Sequence, residues 1–297
     1  MKPEQPLRFA IFGNIYQPKK SMAIQKILAF LSERGAKVYM EEAYHRFLTD
    51  DQQITVHADD VFSGSQFEAD YVISMGGDGT FLSAASRVAR KCTPIIGVNM
   101  GRLGFLASIA PDTVEEALRD IFDGCYRIDE LRTIQVEADG QLLGHSPYAL
   151  NDIAVLKRDN ASMISIRAYV GGEYLVTYQA DGLVVSTPTG STAYSLSNGG
   201  PIIVPQAGVL CLTPVAPHSL NVRPLVIPDD AEISLTVESR SHQFLVAIDG
   251  RSEKCAEGTV LSIRKTDFPV RVVKRHDHTY FHTLRDKMMW GRSYIER

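Results

Sequence analysis

The sequence has no long apolar run, no paired cysteines and no large excess of charge of either sign, and each absence excludes a class of protein. No stretch approaches the roughly 18 uninterrupted apolar residues of a membrane-crossing helix, because glycine, proline or charge breaks every run. The opening residues, MKPEQPLRFA, lack the apolar core of a secretory signal. The four cysteines, Cys92, Cys125, Cys211 and Cys255, are far apart and form no CxxC pair, so they read as reduced thiols and the cytoplasm is the expected location. A formal net charge of -4 gives no reason to expect nucleic acid or a membrane as partner. Any polyphosphate ligand must then be held by local geometry. Two familiar phosphate-binding strings are also missing: there is no GxxxxGKS or GxxxxGKT, and no GxGxxG follows a strand signal.

What is present is ordinary in bulk and informative in pattern. A length of 297 residues, 44% hydrophobic and 22% charged, suits a globular chain of two domains. Residues 8–13 are a short apolar run ending in glycine, a strand signal. Residues 19–34 carry Met22, Ala23, Ile27, Leu28 and Leu31 at helical spacing, with Gly35 as the stop. Strand signals recur at 36–40, 69–75 and 93–99, and a helix signal at 81–91. A further helix is expected at 112–123, where Asp112 and Glu115 fit the capping pattern. Residues 48–68 are polar and aperiodic, which predicts a loop. Strands alternating with helices predict a parallel sheet in an α/β layer.

The pattern changes near Tyr126. Strand signals follow at 133–136, 149–156, 164–170, 174–178, 182–187, 233–238, 244–248 and 260–263, and helix signals almost vanish. Asp139-Gly140, Gly171-Gly172, Asp229-Asp230 and Asp249-Gly250 read as turns. This predicts an all-β sandwich. Residues 280–290 read as a helix returning to the first domain. The expected organisation is an α/β domain over 1–125, a β-sandwich over 126–275 and a C-terminal helical segment over 276–297.

Two glycine-rich segments carry candidate chemistry. Gly76-Gly77-Asp78-Gly79-Thr80 lies where a strand signal gives way to a helix signal, the edge at which open α/β sheets bind ligands. The glycines let backbone approach a ligand, and the helix start offers free N–H groups to an anion. Asp78 would repel a bare phosphate, so a different role is expected of it. It could accept a hydroxyl, act as a base, help to hold a metal, or cap the helix in a plain tight turn. The second segment runs from Asp181 to Pro201 and is crowded with hydroxyls at Ser186, Thr187, Thr189, Ser191, Thr192, Ser195 and Ser197. Hydroxyls and loop N–H groups can hold sugar and phosphate without positive charge, and Tyr194 offers a ring face to a flat base. The alternative is a flexible linker, against which the flanking apolar runs argue.

Together these segments resemble the NAD kinase family over nearly the whole chain. The resemblance rests on the GGDG string, Gly97-Val98-Asn99, Gly101-Arg102-Leu103-Gly104-Phe105-Leu106, Asn151-Asp152, the segment from Asp181 to Pro201, Pro217-His218-Ser219-Leu220 and Arg223-Pro224. GGDG alone is shared with lipid kinases and, in related form, with phosphofructokinases. The resemblance implies an α/β N-terminal domain, a β-sandwich C-terminal domain and NAD between them. It implies phosphorylation of the adenosine-ribose 2′-hydroxyl of NAD by ATP, with a divalent metal, usually Mg²⁺, and assembly as a homodimer or homotetramer. Asp78 would accept the hydroxyl proton, with Gly79 against the same substrate and Gly76, Gly77 and Thr80 as the donor-phosphate loop. Asn151 and Asp152 match an Asn-Glu pair that binds ribose hydroxyls, the acid here being one methylene shorter. Asp181, Thr192, Ala193, Tyr194, Ser195, Leu196 and Ser197 match positions that hold the dinucleotide, partly from a neighbouring subunit. Ser162, Gln179 and Arg251 fall at positions that contact substrate in some members. No residue is assigned as a metal ligand.

Other residues have plainer readings. His276, His278 and His282 fit no common zinc spacing and read as surface or packing residues. His218 lies in a proline-set loop suited to a substrate edge, and Trp290 reads as a packing anchor. Two rival functions remain open: a GGDG kinase of a lipid or sugar phosphate, and a catalytically silent NAD sensor.

Overall fold

The computed structural model describes residues 5–15, 21–101, 103–158, 162–276 and 278–291. It divides into two compact units, one of Met1–Glu130 with Val270–Arg297 and one of Leu131–Pro269. The first unit opens with β1 (Arg8–Gly13), α1 (Ser21–Glu33), β2 (Lys37–Glu41), α2 (Glu42–Arg46), β3 (Asp60–Phe62), β4 (Tyr71–Gly76), α3 (Asp78–Val88), β5 (Ile95–Asn99), α4 (Val114–Phe122) and β6 (Arg127–Leu131). The second is almost all strand: β7 (Ile134–Ala138), β8 (Gln141–Leu142), β9 (Tyr148–Ala149), β10 (Asp152–Lys157), β11 (Ile164–Val170), β12 (Glu173–Ala180), β13 (Gly182–Ser186), the short α5 (Tyr194–Ser197), β14 (Val209–Val215), β15 (Leu225–Pro228), β16 (Ile233–Glu238), β17 (Gln243–Ile248), β18 (Arg251–Ala256) and β19 (Val260–Lys265). The chain then re-enters the first unit as β20 (Val270–Lys274) and α6 (Tyr280–Met288).

The first sheet has the order β3-β2-β1-β4-β5-β20-β6. Its β1–β2, β1–β4, β2–β3, β4–β5 and β5–β20 pairings are parallel, as alternating strands and helices predict. In α1 the buried residues Ala23, Ile24, Ile27, Phe30 and Leu31 recur on one helical face and join Phe9, Ile11, Val38 and Ile73 in one core. Each fully buried aliphatic side chain there contributes about 2 kcal/mol. Lys19 and Lys20, included in the expected helix, lie outside the described residues.

Three expectations are corrected in this unit. Residues 48–68 are not only loop: a π-helical turn (Phe47–Asp51) and β3 occupy part of the segment, and Leu48, Ile54, Phe62 and Phe67 are buried. Leu48 and Phe62 belong to elements of only five and three residues, and Ile54 and Phe67 lie on irregular backbone, so the segment shows no period. The helix expected from Asp112 begins at Val114 after a 3-10 turn (Pro111–Thr113), and its N-cap, Thr113, makes no side-chain cap. Pro111 sets the tight turn and moves the start along. Finally, α2, β6 and β20 were not among the expected elements.

The second unit holds two antiparallel sheets, ordered β15-β14-β13-β10-β17-β18 and β12-β11-β16-β19-β7-β8, with β9 beside β7. Ile153, Leu183 and Val246 from one, with Ile166, Leu235 and Leu261 from the other, share one buried cluster, so the pair is a sandwich. The strand expected over 149–156 is broken: β9 ends at Ala149 and β10 starts at Asp152. No helix among the described residues is long and apolar enough to cross a membrane.

Candidate active site

In the first unit, β4 delivers Gly76 to the sheet's carboxyl edge, Gly77 is the N-cap of α3, and Asp78 is its first residue. The helix therefore begins three residues before the periodic signal, and the free N–H groups of its first turn include Gly79 and Thr80. Thr80 folds back over Gly76, where an added Cβ would lie 2.1 Å from its hydroxyl oxygen.

The Asp78 carboxylate does not cap its own helix. It reaches to the 105–107 segment, where Phe105 N–H donates to Oδ2 at 3.0 Å, and Leu106 and Ala107 N–H donate to Oδ1 at 3.0 and 3.1 Å. Lys287 Nζ of α6 donates to Oδ2 at 3.3 Å. Gly104 permits this approach, since a Cβ there would stand 2.0 Å from Asp78 Oδ1. The neighbouring Arg102 lies outside the described residues. The segment is braced from both sides. Tyr280 sets its ring 6.0 Å from that of Phe105, and Lys287 Nζ sits 4.9 Å from the centre of the Phe105 ring. Beneath, Lys274 Nζ donates to Ser108 Oγ at 3.0 Å and to the Leu106 carbonyl at 3.4 Å. Burial pushes Lys274 down to about 8, against the pull of Asp129 and Asp78.

In the second unit the segment between β9 and β10 is held by a residue that reads in the sequence only as part of a turn. Asp249, with φ +45°, and Gly250, with φ +80°, turn β17 into β18. The Asp249 carboxylate accepts the Leu150, Asn151 and Asp152 N–H groups at 2.8, 2.8 and 3.1 Å. These donors are taken from strand pairing, which is why the expected strand breaks there. Arg251 donates to the Tyr148 carbonyl at 3.1 Å and so braces the same segment. The partner of Asp249 lies about a hundred residues away in sequence; the only hint is an Asp-Gly turn that follows a fully apolar strand end.

Asp152 is buried beside Asp249 and accepts the Tyr194 N–H. Burial, then the Asp249 charge, push Asp152 up to about 7. Burial likewise raises Asp249, opposed by its three backbone donors. The hydroxyl-rich segment folds onto this point. Thr187 N–H donates to the Asn151 carbonyl at 2.9 Å, and its hydroxyl donates to the Leu150 carbonyl at 2.6 Å. Gly190 lies against Asn151, where a Cβ would be 2.0 Å from the Asn151 carbonyl oxygen. Several hydroxyls hold the loop itself: Ser191 donates to the Pro188 carbonyl, Thr192 to the Thr189 carbonyl, and the fully buried Ser195 pairs with Thr213. Tyr194 and Ser197 are exposed, and Ala193 and Leu196 are half-buried.

The remaining expected residues gather elsewhere. Asp181 pairs with Lys157 at 2.7 Å, beyond the Leu156–Gly182 end of the β10–β13 pair, whereas Asp152 lies opposite Ser186 at the other end. That separation is about 16 Å along the strands. Gln179 is exposed, donates to Ser165 Oγ at 2.8 Å, and accepts the His218 N–H through its carbonyl at 2.8 Å. Ser162, Gln179, Glu238 and His242 line a cavity of about 640 Å³. Within this unit the expected residues thus form two clusters. Of the C-terminal histidines, His278 and His282 set their rings 5.9 Å apart, and His282 pairs with Asp286.

Comparison with known proteins agrees across the chain. Residues 9–126 match the ATP-NAD kinase N-terminal domain family and residues 150–275 the ATP-NAD kinase C-terminal domain family. The NAD kinase of Bacteroides fragilis is 56% identical over 285 residues, covering 96% of this chain and 98% of that protein. That of Porphyromonas gingivalis is 41% identical over the same shares. Among solved structures, an NAD kinase from Archaeoglobus fulgidus in complex with ATP superposes with a TM-score of 0.76 at 26% identity, covering 95% of this chain and 99% of that one. Yeast NADH kinase complexed with NADH shares the fold, with a TM-score of 0.90 at 19% identity over 99% of this chain and 91% of that one. The chain therefore belongs to the NAD kinase family, enzymes that phosphorylate NAD with ATP.

Proposed function

We propose that this chain moves the γ-phosphoryl group of ATP to the 2′-hydroxyl of the adenosine ribose of NAD, with Asp78 as the proton acceptor. The observation that carries this reading is the Asp78 carboxylate, fixed by backbone donors at the carboxyl edge of a parallel sheet and the start of a helix. A sugar hydroxyl is a poor nucleophile at neutral pH, and a positioned carboxylate takes its proton as the bond to phosphorus forms. Gly76, Gly77, Gly79 and Thr80 supply close backbone and free N–H groups to donor phosphate. Asn151, Asp152 and the 192–197 segment hold the dinucleotide, the segment through its exposed Tyr194 and Ser197 while the buried Ser195 keeps its shape. The convergence of Asp152, Tyr194 and Asn151 favours an NAD acceptor over a lipid or sugar phosphate.

Among the described residues no group of three or more His, Cys, Asp or Glu side chains is set to hold a metal. A Mg²⁺ ion bound to the phosphates of ATP would enter as part of the co-substrate and would supply neutralisation of charge on the transferring group. Asp181, Gln179 and Ser162 lie at the far end of the sandwich strands from Asp152, an arrangement that supports their serving a neighbouring subunit in a homodimer or homotetramer. The separated cysteines support a cytoplasmic location.

The test is to incubate the purified chain with NAD, ATP and Mg²⁺ and follow NADP. Formation of NADP supports the reading, tight NAD binding without product returns a sensor, and neither returns another GGDG kinase. Light scattering in solution checks the oligomer, and a monomer that is fully active would remove the shared-subunit reading.

A further inference from the structure

We propose that Lys287 of α6 is a catalytic residue of the phosphoryl transfer: its ammonium fills the one exchangeable position on Asp78, yields it to the ribose hydroxyl, and then contacts the transferring phosphoryl group. This rests on the reading of Asp78 as proton acceptor.

An ionised carboxylate offers about four acceptor positions. Three on Asp78 are spent on the N–H groups of Phe105, Leu106 and Ala107. Those donors are fixed. Leu106 and Ala107 are buried, Gly104 N–H ties back to the Ala107 carbonyl at 3.2 Å, and Gly104 itself is packed against Asp78. The fourth position is held by Lys287 at 3.3 Å, the longest of the contacts, from a flexible stem whose side chain is 33% exposed. A hydroxyl seeking Asp78 has one partner it can displace, and that partner is Lys287.

Displacement by a single oxygen leaves the ammonium about 3–5 Å from the attacking atom. The other lysine close by cannot serve there, because Lys274 is committed beneath the segment to Ser108 and the Leu106 carbonyl. The ribose O–H proton passes to Asp78, the ribose oxygen bonds to the γ-phosphorus, and the bond from that phosphorus to the bridging oxygen breaks, its electron pair leaving with ADP. Lys287 changes no covalent bond. It balances charge on the phosphoryl oxygens, as a P-loop lysine does in chains that have one.

Steady-state kinetics with NAD and Mg·ATP test this on the full chain as purified. Lys287→Met keeps the stem over Phe105 and removes the charge, Lys287→Gln removes it with a polar end, and Lys287→Arg restores it. The expected result is a 10- to 100-fold fall in kcat for Lys287→Met and Lys287→Gln at unchanged melting temperature, no rise in KM for NAD, and recovery to within about fivefold in Lys287→Arg. A kcat within twofold of wild type in both neutral variants overturns the proposal, as does an equal loss in Lys287→Arg. Asp78→Asn is assayed in parallel: if it retains turnover, the base reading fails first and takes this one with it, whereas its inactivity beside active Lys287 variants rejects Lys287 alone.

Discussion

Asp78 and Asp152 sit at the starts of a helix and a strand, one in each unit, and their surroundings are opposite. Asp78 is partly exposed and ringed by donors: three backbone N–H groups and an ammonium. Asp152 is buried, has the Tyr194 N–H, and faces a second carboxyl group, Asp249. The first environment surrounds the carboxylate with donors, the longest of them the Lys287 contact at 3.3 Å. The second holds a proton near neutrality and spends its other carboxylate on fixing backbone. The same side chain is thus set in two opposite environments.

The largest effect is expected at Asp78. Asp78→Asn is expected to cut kcat by about 100- to 10,000-fold while the protein folds normally, measured as NADP formation and by circular dichroism. Turnover near that of wild type would rule out the base role. Next comes a pH effect at Asp152. Its folded value is about 7 against about 4 for a free aspartate, so the folded state keeps the proton more tightly. The stability this gives is fully present below about pH 4 and is lost as pH rises through 7, by about 2–4 kcal/mol. Urea unfolding at pH 5 and pH 8 should show Asp152→Asn losing less stability than wild type over that interval; identical slopes would remove the buried acid pair from the picture.

Asp249→Ala should cost about 3 kcal/mol by orphaning three buried N–H groups, and should raise KM for NAD more than KM for ATP. An equal rise in both would make Asp249 a general fold residue. The smallest effect is expected at Thr279, the N-cap of α6, whose side chain accepts the His282 N–H. Thr279→Ala should weaken that helix by about 1 kcal/mol, seen as faster amide exchange in residues 280–288.

Local pattern made much of the fold legible. β1, β11 and β16 begin and end where the apolar runs do. The strands that escaped did so for physical reasons. β14 contains Pro214, which argues against a ladder position, but β15 pairs only as far as Leu212, so the missing N–H faces no neighbour on that side. β18, RSEKCA, is an edge strand with only Cys255 buried, and it lacks the apolar alternation of a covered strand. In the site, the GGDG loop and the Asn151-Asp152 pair were visible because their chemistry is local. The Asp249 bonds and the reach of Lys287 to Asp78 join residues 97 to 209 positions apart, and no spacing rule encodes such a meeting.

The return of β20 to the first sheet also sets an order of assembly. The sandwich is one continuous stretch, Leu131–Pro269, and can close as soon as it has left the ribosome. The α/β sheet cannot: β20 lies between β5 and β6, so until residue 274 is made these two strands have no common neighbour. Lys287 follows still later. The nascent chain therefore completes its second half before its first, and the support around Asp78 is among the last contacts to form.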